Sequence, residues 1–516
     1  MTGDEQSGAP KIAVILGHPR SASFCAALAD AYCCGAREAG ATVRLIRLAE
    51  VSFAPDVVEG SPRDQAIEPG LQRAMDALVW ADHLVFVYPT WWATMPALLK
   101  GFLDRALVPG FAFRPDERAP TGYVPLLQGR SAQLVTTMDS PGWVYRFVYG
   151  RAGDRAMKAG ILGFCGIRPV QSTWITRLKH RSPGDRRHAI GRMRALGAAA
   201  PGLVARVARN RRWVAWLKIM RLQFYAMTLL SYGLGAAAAA ATGHAFSWPV
   251  ILSGFGCLFV LELTSVLLNE IHDQPTDRRN LNAGPFSGGS RVLVEGALPV
   301  RSVRSAARMT VVAAAALAAL TLLQVERGSL LAAASLLGVG FLLGPGYTAP
   351  PLKLVYRGFG EWVVAFTHSS FMLLCGWVFC GGALLAPLPW LLSAPLFVAI
   401  FASITLAGIP DADADRHVHK RTLAVLLSPP GAVWVAVAAT VLAWASLWGF
   451  RHLLIPGESG EAPLAWALFA AHGGILAYLL GRFLRRGAPC RRIDATLAVA
   501  LSFVLWFSVW PLVAFL

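Results

Sequence analysis

The chain has 516 residues, enough for three or four domains, and its 55% hydrophobic and 15% charged residues exclude an entirely soluble protein. A net charge of +18 would suggest a nucleic acid partner for a soluble protein, but many arginines here lie in short loops between apolar stretches. Such arginines orient a membrane protein and bind anionic lipid, so we expect membrane lipid, and no nucleic acid, as a partner.

The eight cysteines show neither CxxC spacing nor a regular framework, which predicts reduced thiols rather than a disulfide scaffold. The start, MTGDEQSGAPK, lacks the basic and apolar regions of a signal peptide. We therefore expect the amino-terminal half of the protein to stay in the cytosol.

Short β-rich runs alternate with helical stretches over the first half of the chain. The predicted strands are 11–16, 42–48, 83–89, 132–138 and 169–175. The predicted helices follow Ser23, lie near 70–80, begin at Met95 and lie near 151–162. Apolar strands separated by helices predict an α/β doubly wound parallel sheet. Ligands bind outside the carboxyl ends of such strands, so the loops after Leu16, Pro89 and Met138 are the candidate binding region.

Three regions are predicted: an α/β domain over 1–183, a basic linker at the membrane surface over 184–215, and an all-α membrane bundle over 216–516. The linker combines a last helix with a basic segment that carries a tryptophan. The bundle contains about nine transmembrane helices, because nine apolar stretches approach the 20 or so residues that cross a bilayer. These stretches are 220–242, 248–268, 305–324, 329–346, 362–382, 389–409, 431–450, 463–481 and 494–515.

The loops between these stretches differ sharply in charge. Sixteen Arg and Lys residues lie in the loops of one side, against only Arg327 and Arg451 on the other. Because Arg and Lys mark the cytosolic side, we expect an integral protein of a prokaryotic inner (plasma) membrane with its amino-terminal domain in the cytosol. An odd number of spans then leaves the carboxyl end outside.

Two acidic clusters lie at span ends on the predicted cytosolic side. In NEIHDQPTD, Asn269, Asp273 and Asp277 recur every four residues, close to one face of a helix. In DADAD, Asp411 and Asp415 have the same spacing, and Asp413 points elsewhere. One such cluster could be a solvated loop end, but two on one side favour a metal site.

Magnesium is the expected ion at these clusters, because it takes oxygen ligands and usually bridges to substrate phosphate. Basic residues suited to a diphosphate lie on the same side, although each alone is typical of a membrane anchor. The candidate diphosphate-binding residues are Lys353, Arg357, Lys420, Arg421 and Arg221.

Two further ionisable residues fall inside predicted spans. Glu262 lies two helical turns before Asn269 and is expected to line the same cavity, which makes it a functional candidate. His472 could face the cavity or be a hydrogen-bonded structural histidine.

Four segments together resemble the cytosolic motif regions of the UbiA superfamily of intramembrane aromatic prenyltransferases. They are NEIHDQPTD, GPFSGGSRVLVEG, YTAPPLKLVYRGFGE and PDADADRHVHKRTLAVLL, and they are most similar to the branch that makes menaquinone-type prenylnaphthoquinones. Glu270 departs from the pattern, because the family usually has Asp at that position.

The resemblance implies a nine-helix bundle, a polyprenyl diphosphate donor and two magnesium ions held by the two acidic clusters. Ionisation of the donor gives an allylic cation that an electron-rich aromatic carbon attacks. The candidate catalytic residues are Asn269, Asp273, Asp277, Asp411, Asp415, Tyr347 and Lys353, and all but the last two are also the candidate metal ligands.

Two loops of the first domain carry ligand-binding patterns. GHPRSASF (17–24) opens a helix, where backbone amides suit a phosphate, although a plain capping loop has the same pattern. After the third strand, Trp91 and Trp92 stand where a ring system would lie, and a core or interfacial role is the alternative.

With LVTTMDSPGW and LGFCGI, these loops resemble the flavodoxin-like NAD(P)H quinone oxidoreductases over about residues 10–180. The resemblance implies NAD(P)H and a flavin, with FAD or FMN left open. Cys25 stands where the family often has Asn. The implied flavin-binding residues are His18, Ser23, Phe24, Pro89, Thr90, Trp91, Trp92, Thr136 and Thr137.

The two resemblances are chemically complementary, because a quinone is electron-poor and its hydroquinone is electron-rich. We therefore expect the first domain to reduce a quinone and the membrane domain to prenylate the hydroquinone, in menaquinone-like biosynthesis. The alternative is a UbiA-type transferase or cyclase acting on a non-quinone acceptor, with the front domain serving only for docking or regulation. A homodimer through the reductase domain stays open.

Overall fold

A computed structural model describes residues 8–116, 119, 121–449, 463–486 and 493–516. The chain divides into two compact units, Met1–Arg211 and Arg212–Leu516. The division falls inside one long helix, Pro183–Met220. The segment 184–215, which we predicted to be a helix followed by a linker, is therefore helical throughout.

The first unit alternates strands and helices as the sequence predicts. Its elements are β1 Lys11–Leu16, α1 Phe24–Glu38, β2 Thr42–Arg47, α2 Pro69–Trp80, β3 His83–Pro89, α3 Ala97–Ala106, β4 Phe113–Pro115, β5 Tyr123–Pro125, β6 Ser131–Thr137, α4 Ala152–Arg155, β7 Val170–Ile175 and α5 Pro183–Met220. A π-helix, Ala156–Gly163, continues α4. The antiparallel pair β4 and β5 was not predicted.

In the described part of the chain, five parallel strands form one sheet in the order β2-β1-β3-β6-β7. Ile12 and Val14 of β1 pack into the core on one face, and Ala13 and Ile15 pack into the core on the other. This alternation explains why β1 is apolar throughout, since both faces of the sheet are covered. The chain order reverses between β1 and β3, so the loops that follow these strands flank a switch point.

The second unit is helical in all of its described regular elements. These are α6 Tyr225–Ala241, α7 Trp248–His272, α8 Gln274–Arg279, α9 Val300–Gln324, α10 Leu330–Gly346, α11 Gly360–Phe366, α12 Met372–Phe379, α13 Pro387–Ala407, α14 Ala412–His417, α15 Leu423–Leu426, α16 Ser428–Gly449, α17 Pro463–Arg486, α18 Asp494–Val504 and α19 Trp506–Phe515.

Within the described residues, nine helical segments are long and apolar enough to cross a membrane. Large apolar side chains such as Leu323, Leu331 and Trp434 are exposed on these helices, as expected for surfaces that face lipid. The predicted architecture, a doubly wound sheet followed by a bundle of about nine transmembrane helices, is confirmed. Arg451 and residue 450 of the seventh predicted stretch lie outside the described residues.

Helices α6 and α12 pack at close range through glycine. A Cβ atom on Gly235 would overlap the carbonyl oxygen of Leu373, and one on Gly376 would overlap that of Tyr232. Small residues let membrane helices approach until their backbones touch, so these glycines set the spacing of the two helices.

We predict that Gly235→Ala destabilises the protein by about 1–3 kcal/mol, because the added methyl group forces α6 away from α12. Thermal unfolding of the detergent-purified protein measures the effect as a lower midpoint. Gly233→Ala is the matched control, since a Cβ on Gly233 meets no atom within 4 Å. Equal midpoints for the two variants would contradict this account of the packing.

Candidate functional site

The first acidic cluster lies where α7 ends. Asp273 follows α7 directly, and its carbonyl oxygen accepts a hydrogen bond from the Asp277 N–H in α8 at 2.8 Å. Pro275, near the start of α8, has no N–H to continue α7, and the chain turns into a new short helix there. Asn269 thus lies on α7, Asp273 at the junction and Asp277 on α8.

The second cluster surrounds α14 after the end of α13. Asp411 immediately precedes α14, and Asp415 lies within it and is buried. Asp413 is exposed and pairs with Arg416 at 3.3 Å, so it points away as predicted.

Lys420 joins the two clusters. Its buried Nζ lies 2.7 Å from Asp273 Oδ2 and 3.7 Å from Asp415 Oδ1. The phenol of Tyr356 donates to the same Asp273 carboxylate at 3.4 Å. The two motif regions therefore meet at one end of the bundle.

A loop between α8 and α9 closes over Asp411. Asn280 Nδ2 donates to Asp411 Oδ1 at 2.7 Å, and the Gly288 N–H donates to Asp411 Oδ2 at 3.2 Å. Buried Glu270 holds the same loop, since its carboxylate accepts from Ser290 N at 2.7 Å and from Ser290 Oγ at 2.6 Å. The departure from the family pattern at Glu270 thus has a structural role in positioning this loop.

Burial raises the pKa of two carboxyl groups in these clusters. Burial, with the nearby charges of Asp273, Glu270 and Asp411, raises the pKa of Asp277 to about 8. Burial raises the pKa of Asp415 to about 7, although Lys420 opposes this change. Burial would lower the pKa of Lys420, but Asp273 and Asp415 raise it, so the lysine stays charged. One lysine does not neutralise the whole cluster.

The remaining predicted cations are distributed unevenly around the cluster. Lys353 is exposed, with Nζ 5.4 Å from the centre of the Tyr356 ring, which Lys420 Nζ approaches at the same distance. Arg357 is exposed and donates to the Pro351 carbonyl at 3.1 Å, so the structure does not bring it onto the carboxylates. Arg421 is exposed beside Lys420.

An apolar cavity of about 530 Å³ lies inside the second unit, a volume typical of small-molecule sites. Asn269, Tyr347 and Arg221 line it near the acidic clusters. One face of α7, from Leu258 to Asn269, forms a wall that is roughly 16 Å long at 1.5 Å per residue. Glu262 lies on this wall, as predicted, whereas His472 bonds to Val499 O and Trp506 and is a structural histidine.

The side chains of the two clusters fit magnesium in kind. All are oxygen donors, and the Asn269 Oδ1 atom is buried with no hydrogen-bond partner among the described residues. Within the described ranges, no three acidic, His or Cys side chains converge closely enough to hold an ion alone. Such an open arrangement suits an ion that also takes ligands from water and substrate phosphate.

The first unit has a second site at the sheet switch point. His18 after β1 and Trp91 after β3 meet edge to face, with ring centroids 5.8 Å apart. Burial and Arg20 lower the pKa of His18, whose Nδ1 accepts from the Arg20 N–H at 2.9 Å. The imidazole is therefore neutral at pH 7. The Ser23 hydroxyl caps α1 by accepting from Ala26 N at 3.2 Å, and Phe24 begins that helix.

Buried hydroxyl groups without partners surround this switch point. Thr90 Oγ1 and Thr136 Oγ1 have no hydrogen-bond partner in the described structure, whereas Thr137 Oγ1 contacts Cys25 Sγ at 3.3 Å. Pro89 ends β3, and Trp92 is fully exposed with a positive φ of 50°. Unpartnered hydroxyls and exposed indoles around one loop fit a flavin in chemistry.

Models of two known families match different parts of the chain. A model of the UbiA prenyltransferase family matches residues 229–507, more than half of the chain. The chain belongs to the UbiA prenyltransferase family. A second family model, described as flavodoxin-like fold, matches residues 10–196. The protein is therefore a fusion of a flavodoxin-like oxidoreductase domain with a UbiA prenyltransferase domain.

Relatives match each domain separately. A Haemophilus influenzae protein described as an uncharacterized NAD(P)H oxidoreductase is 31% identical over 163 residues, which are 31% of this chain and 79% of that protein. NAD(P)H dehydrogenase (quinone) 1 of Rattus norvegicus is 25% identical over 198 residues, or 34% of this chain and 71% of the rat protein. The apo structure of a UbiA homolog from Aeropyrum pernix K1 covers 56% of this chain and 98% of its own at 18% identity, with a TM-score of 0.42.

Sequence reasoning missed several residues of the UbiA domain. Asn280 and Tyr356 bond to the predicted aspartates, and His368 bonds to Glu262 in the cavity. The only sequence signal for His368 is an ionisable residue inside an apolar span. Asn280 and Tyr356 lie within or beside recognised motifs, but nothing in their spacing points to the aspartates.

We predict that Glu270→Gln loosens the loop over Asp411, because the amide NH₂ of glutamine cannot accept one of the two hydrogen bonds from Ser290. Backbone amides between 280 and 296 should exchange with deuterium at least about tenfold faster, as expected when a buried charged hydrogen bond is lost. Glu295→Gln is the control, since Glu295 is exposed and, among the residues that the structure describes, its only ion pair is with exposed Lys218 at 3.5 Å. Unchanged hydrogen exchange in Glu270→Gln would show that the hydrogen bonds between Glu270 and Ser290 do not hold this loop in place.

Proposed function

We propose that the protein reduces a quinone to its hydroquinone with NAD(P)H through a bound flavin, and then prenylates the aromatic ring with a polyprenyl diphosphate. The product class is a menaquinone-like prenylquinone. The observation that carries the transferase half is the contact of Lys420 with Asp273 and Asp415 at the end of an apolar cavity.

The donor diphosphate is proposed to bind at the acidic clusters. Asn269, Asp273, Asp277, Asp411 and Asp415 would hold magnesium, which supplies positive charge against the diphosphate when it is bound. Lys420 and Lys353 each lie with Nζ 5.4 Å from the centre of the Tyr356 ring and would meet the phosphate oxygens directly. Arg221, on the cavity wall, and the exposed Arg421 complete the proposed cationic set, and Arg357 would have to leave the Pro351 carbonyl to join it.

The prenyl chain and the acceptor are proposed to share the apolar cavity. Leu258, Leu261, Phe371 and Met372 are among the residues that line it. Such walls keep water from an allylic cation, so that the aromatic carbon reacts first. Tyr347 lines the cavity beside the carboxylates and is a candidate to contact the reacting end of the donor.

The flavin is proposed to bind at the switch point of the first domain and, when bound, to carry hydride from nicotinamide to quinone. His18, Ser23 and Phe24 would meet its phosphates, and Pro89, Thr90, Trp91 and Trp92 its ring, with Thr136 and Thr137 nearby. The unpartnered hydroxyls of Thr90 and Thr136 support this assignment. FAD and FMN both remain candidates.

Joining the two activities has a chemical reason. A hydroquinone is readily reoxidised, and joining the two domains raises its effective concentration near the second site. The proposal places the reductase domain in the cytosol of a prokaryotic cell, with the transferase in the inner membrane and 184–215 along its surface. The excess of Arg and Lys in loops of one side supports this orientation.

The coupling predicts a strict dependence on reductant. With 1,4-naphthoquinone, geranylgeranyl diphosphate and Mg²⁺ under anaerobic conditions, the full-length protein should form at least about tenfold more prenylated product when NAD(P)H is present. Product is measured by chromatography of the lipid extract. With chemically reduced 1,4-naphthoquinol, the same rate is expected with or without NAD(P)H.

A variant of the flavin site separates the two steps. Trp91→Ala should lower the visible flavin absorbance and product formation from the quinone, while the rate from naphthoquinol stays unchanged. Trp80→Ala is the control, because Trp80 lies on α2 against Arg44 at 4.1 Å. Equal product from the quinone with and without NAD(P)H would contradict the coupling, and no product from naphthoquinol would contradict the proposed acceptor.

A further inference from the structure

A hydrogen-bonded pair of ionisable residues lies inside the cavity, away from the acidic clusters. Glu262 precedes Asn269 by two helical turns on α7, roughly 10 Å along the helix axis. Its Oε1 lies 3.2 Å from His368 Nε2, and its Oε2 accepts from the Thr228 hydroxyl at 2.5 Å. Both residues of the pair line the cavity, with 9% of the Glu262 side chain and 22% of the His368 side chain exposed.

The hydrogen bonds fix where protons can lie. His368 Nδ1 is 3.0 Å from the Val364 carbonyl oxygen, which can only accept, so Nδ1 carries a hydrogen. The Thr367 hydroxyl donates its own hydrogen to Val363 O at 2.8 Å, so this hydroxyl is not the donor to Nδ1. Nε2 therefore faces Glu262 either as a second N–H or as an acceptor from a protonated carboxyl group. In both cases Glu262 and His368 share one proton, and the carboxylate and imidazole can pass it between them.

Such a pair is out of place beside a hydrocarbon chain. A polyprenyl tail has no group that can hydrogen bond to a carboxylate or an imidazole, so packing against the pair would leave the remaining lone pairs of the carboxylate without a donor. A diphosphate would be repelled by the carboxylate. An aromatic hydroxyl, in contrast, donates to a carboxylate and can lie in a cavity whose other walls are apolar.

We propose that Glu262 and His368 form the acceptor site of the transferase, where they bind a hydroxyl of the aromatic acceptor and take up the proton that its ring loses. This inference rests on the proposed function and names two of its residues. The allylic C–O bond breaks with its electron pair leaving on the diphosphate, and a ring carbon forms the new C–C bond. The ring C–H bond then breaks, its electrons restore the aromatic ring, and the proton passes to the Glu262 carboxylate.

His368 acts with Glu262 rather than alone. The Ser231 hydroxyl donates to the His368 carbonyl at 2.6 Å, and Val364 fixes the imidazole ring, so the histidine is held in one orientation. Its Nε2 therefore stays on Glu262 Oε1, while the other carboxylate oxygen, which accepts from the buried Thr228 hydroxyl, is left to accept from the bound hydroxyl. Removing His368 should leave Glu262 in place but weaken its capacity to exchange a proton.

The test uses the full-length detergent-purified protein and its Glu262→Gln and His368→Gln variants, because glutamine keeps the size and hydrogen bonding but carries no titrating proton. With prereduced 1,4-naphthoquinol, we expect Glu262→Gln to lower kcat for prenylation about 100-fold, the usual range for loss of a general base, and to raise the acceptor KM several-fold. The donor KM and the slow release of diphosphate without acceptor should change less than about twofold. Ser446→Ala is the control, since Ser446 bonds within its own helix to Leu442 O at 2.7 Å.

Binding of naphthoquinol, followed by tryptophan fluorescence with a non-reactive donor analogue present, separates this inference from the proposed function. Weaker binding to Glu262→Gln and His368→Gln supports the acceptor site even if the wild-type protein does not turn naphthoquinol over, an outcome that would contradict the proposed reaction alone. The acceptor-site inference would be overturned by unchanged acceptor affinity and rate in both variants. An equal loss of prenylation and of acceptor-independent diphosphate release would also overturn it.

Discussion

The ion pairs of Lys420 with Asp273 and Asp415 are the constraint on which the rest of the UbiA domain depends. Carboxylates contributed by two separate helix ends are buried together, and without a cation between them their repulsion would push the ends of α7 and α13 apart. With Lys420 in place, the face of α7 that carries Asn269 and Glu262 is turned toward the cavity. The loop held by Glu270 then covers Asp411. The charged residues at the end of the bundle and the apolar walls of the cavity thus follow from one arrangement of helices.

The same arrangement separates two kinds of chemistry along one helix. At its end, clustered oxygen ligands suit a diphosphate with its cations, and two turns earlier a single carboxylate bonded to an imidazole suits a neutral hydroxyl. The flavodoxin-like domain follows a different rule, since its site is set by the reversal of strand order between β1 and β3. Each half therefore builds its site from its own fold, and under the proposed function the chemistry of quinone and hydroquinone would give the reason for their fusion.

Local patterns predicted much of this fold. Strands β1 and β3 have the bounds expected from their apolar runs, and the nine apolar stretches correspond to nine candidate spans among the described residues. Spacing of four residues and the charge of the loops placed Asp273 and Asp415 on one side. Contacts that depend on tertiary packing could not be predicted from these local patterns. Lys420 was predicted to bind diphosphate, but nothing in DRHVHKRT shows that it reaches Asp273. The same holds for His368 and Glu262, which are adjacent only because the fold brings α7 close to the π-helix Thr367–Phe371 that joins α11 and α12.

The most direct test of the acidic site compares two aspartates of one motif. Asp415 is buried beside Lys420, whereas Asp413 is exposed and faces Arg416. Mn²⁺ binding, measured by electron paramagnetic resonance with a non-reactive allylic diphosphate analogue present, should be at least about tenfold weaker in Asp415→Asn, because a metal-binding carboxylate is lost, and unchanged in Asp413→Asn. Equal Mn²⁺ affinity in the two variants would contradict the account.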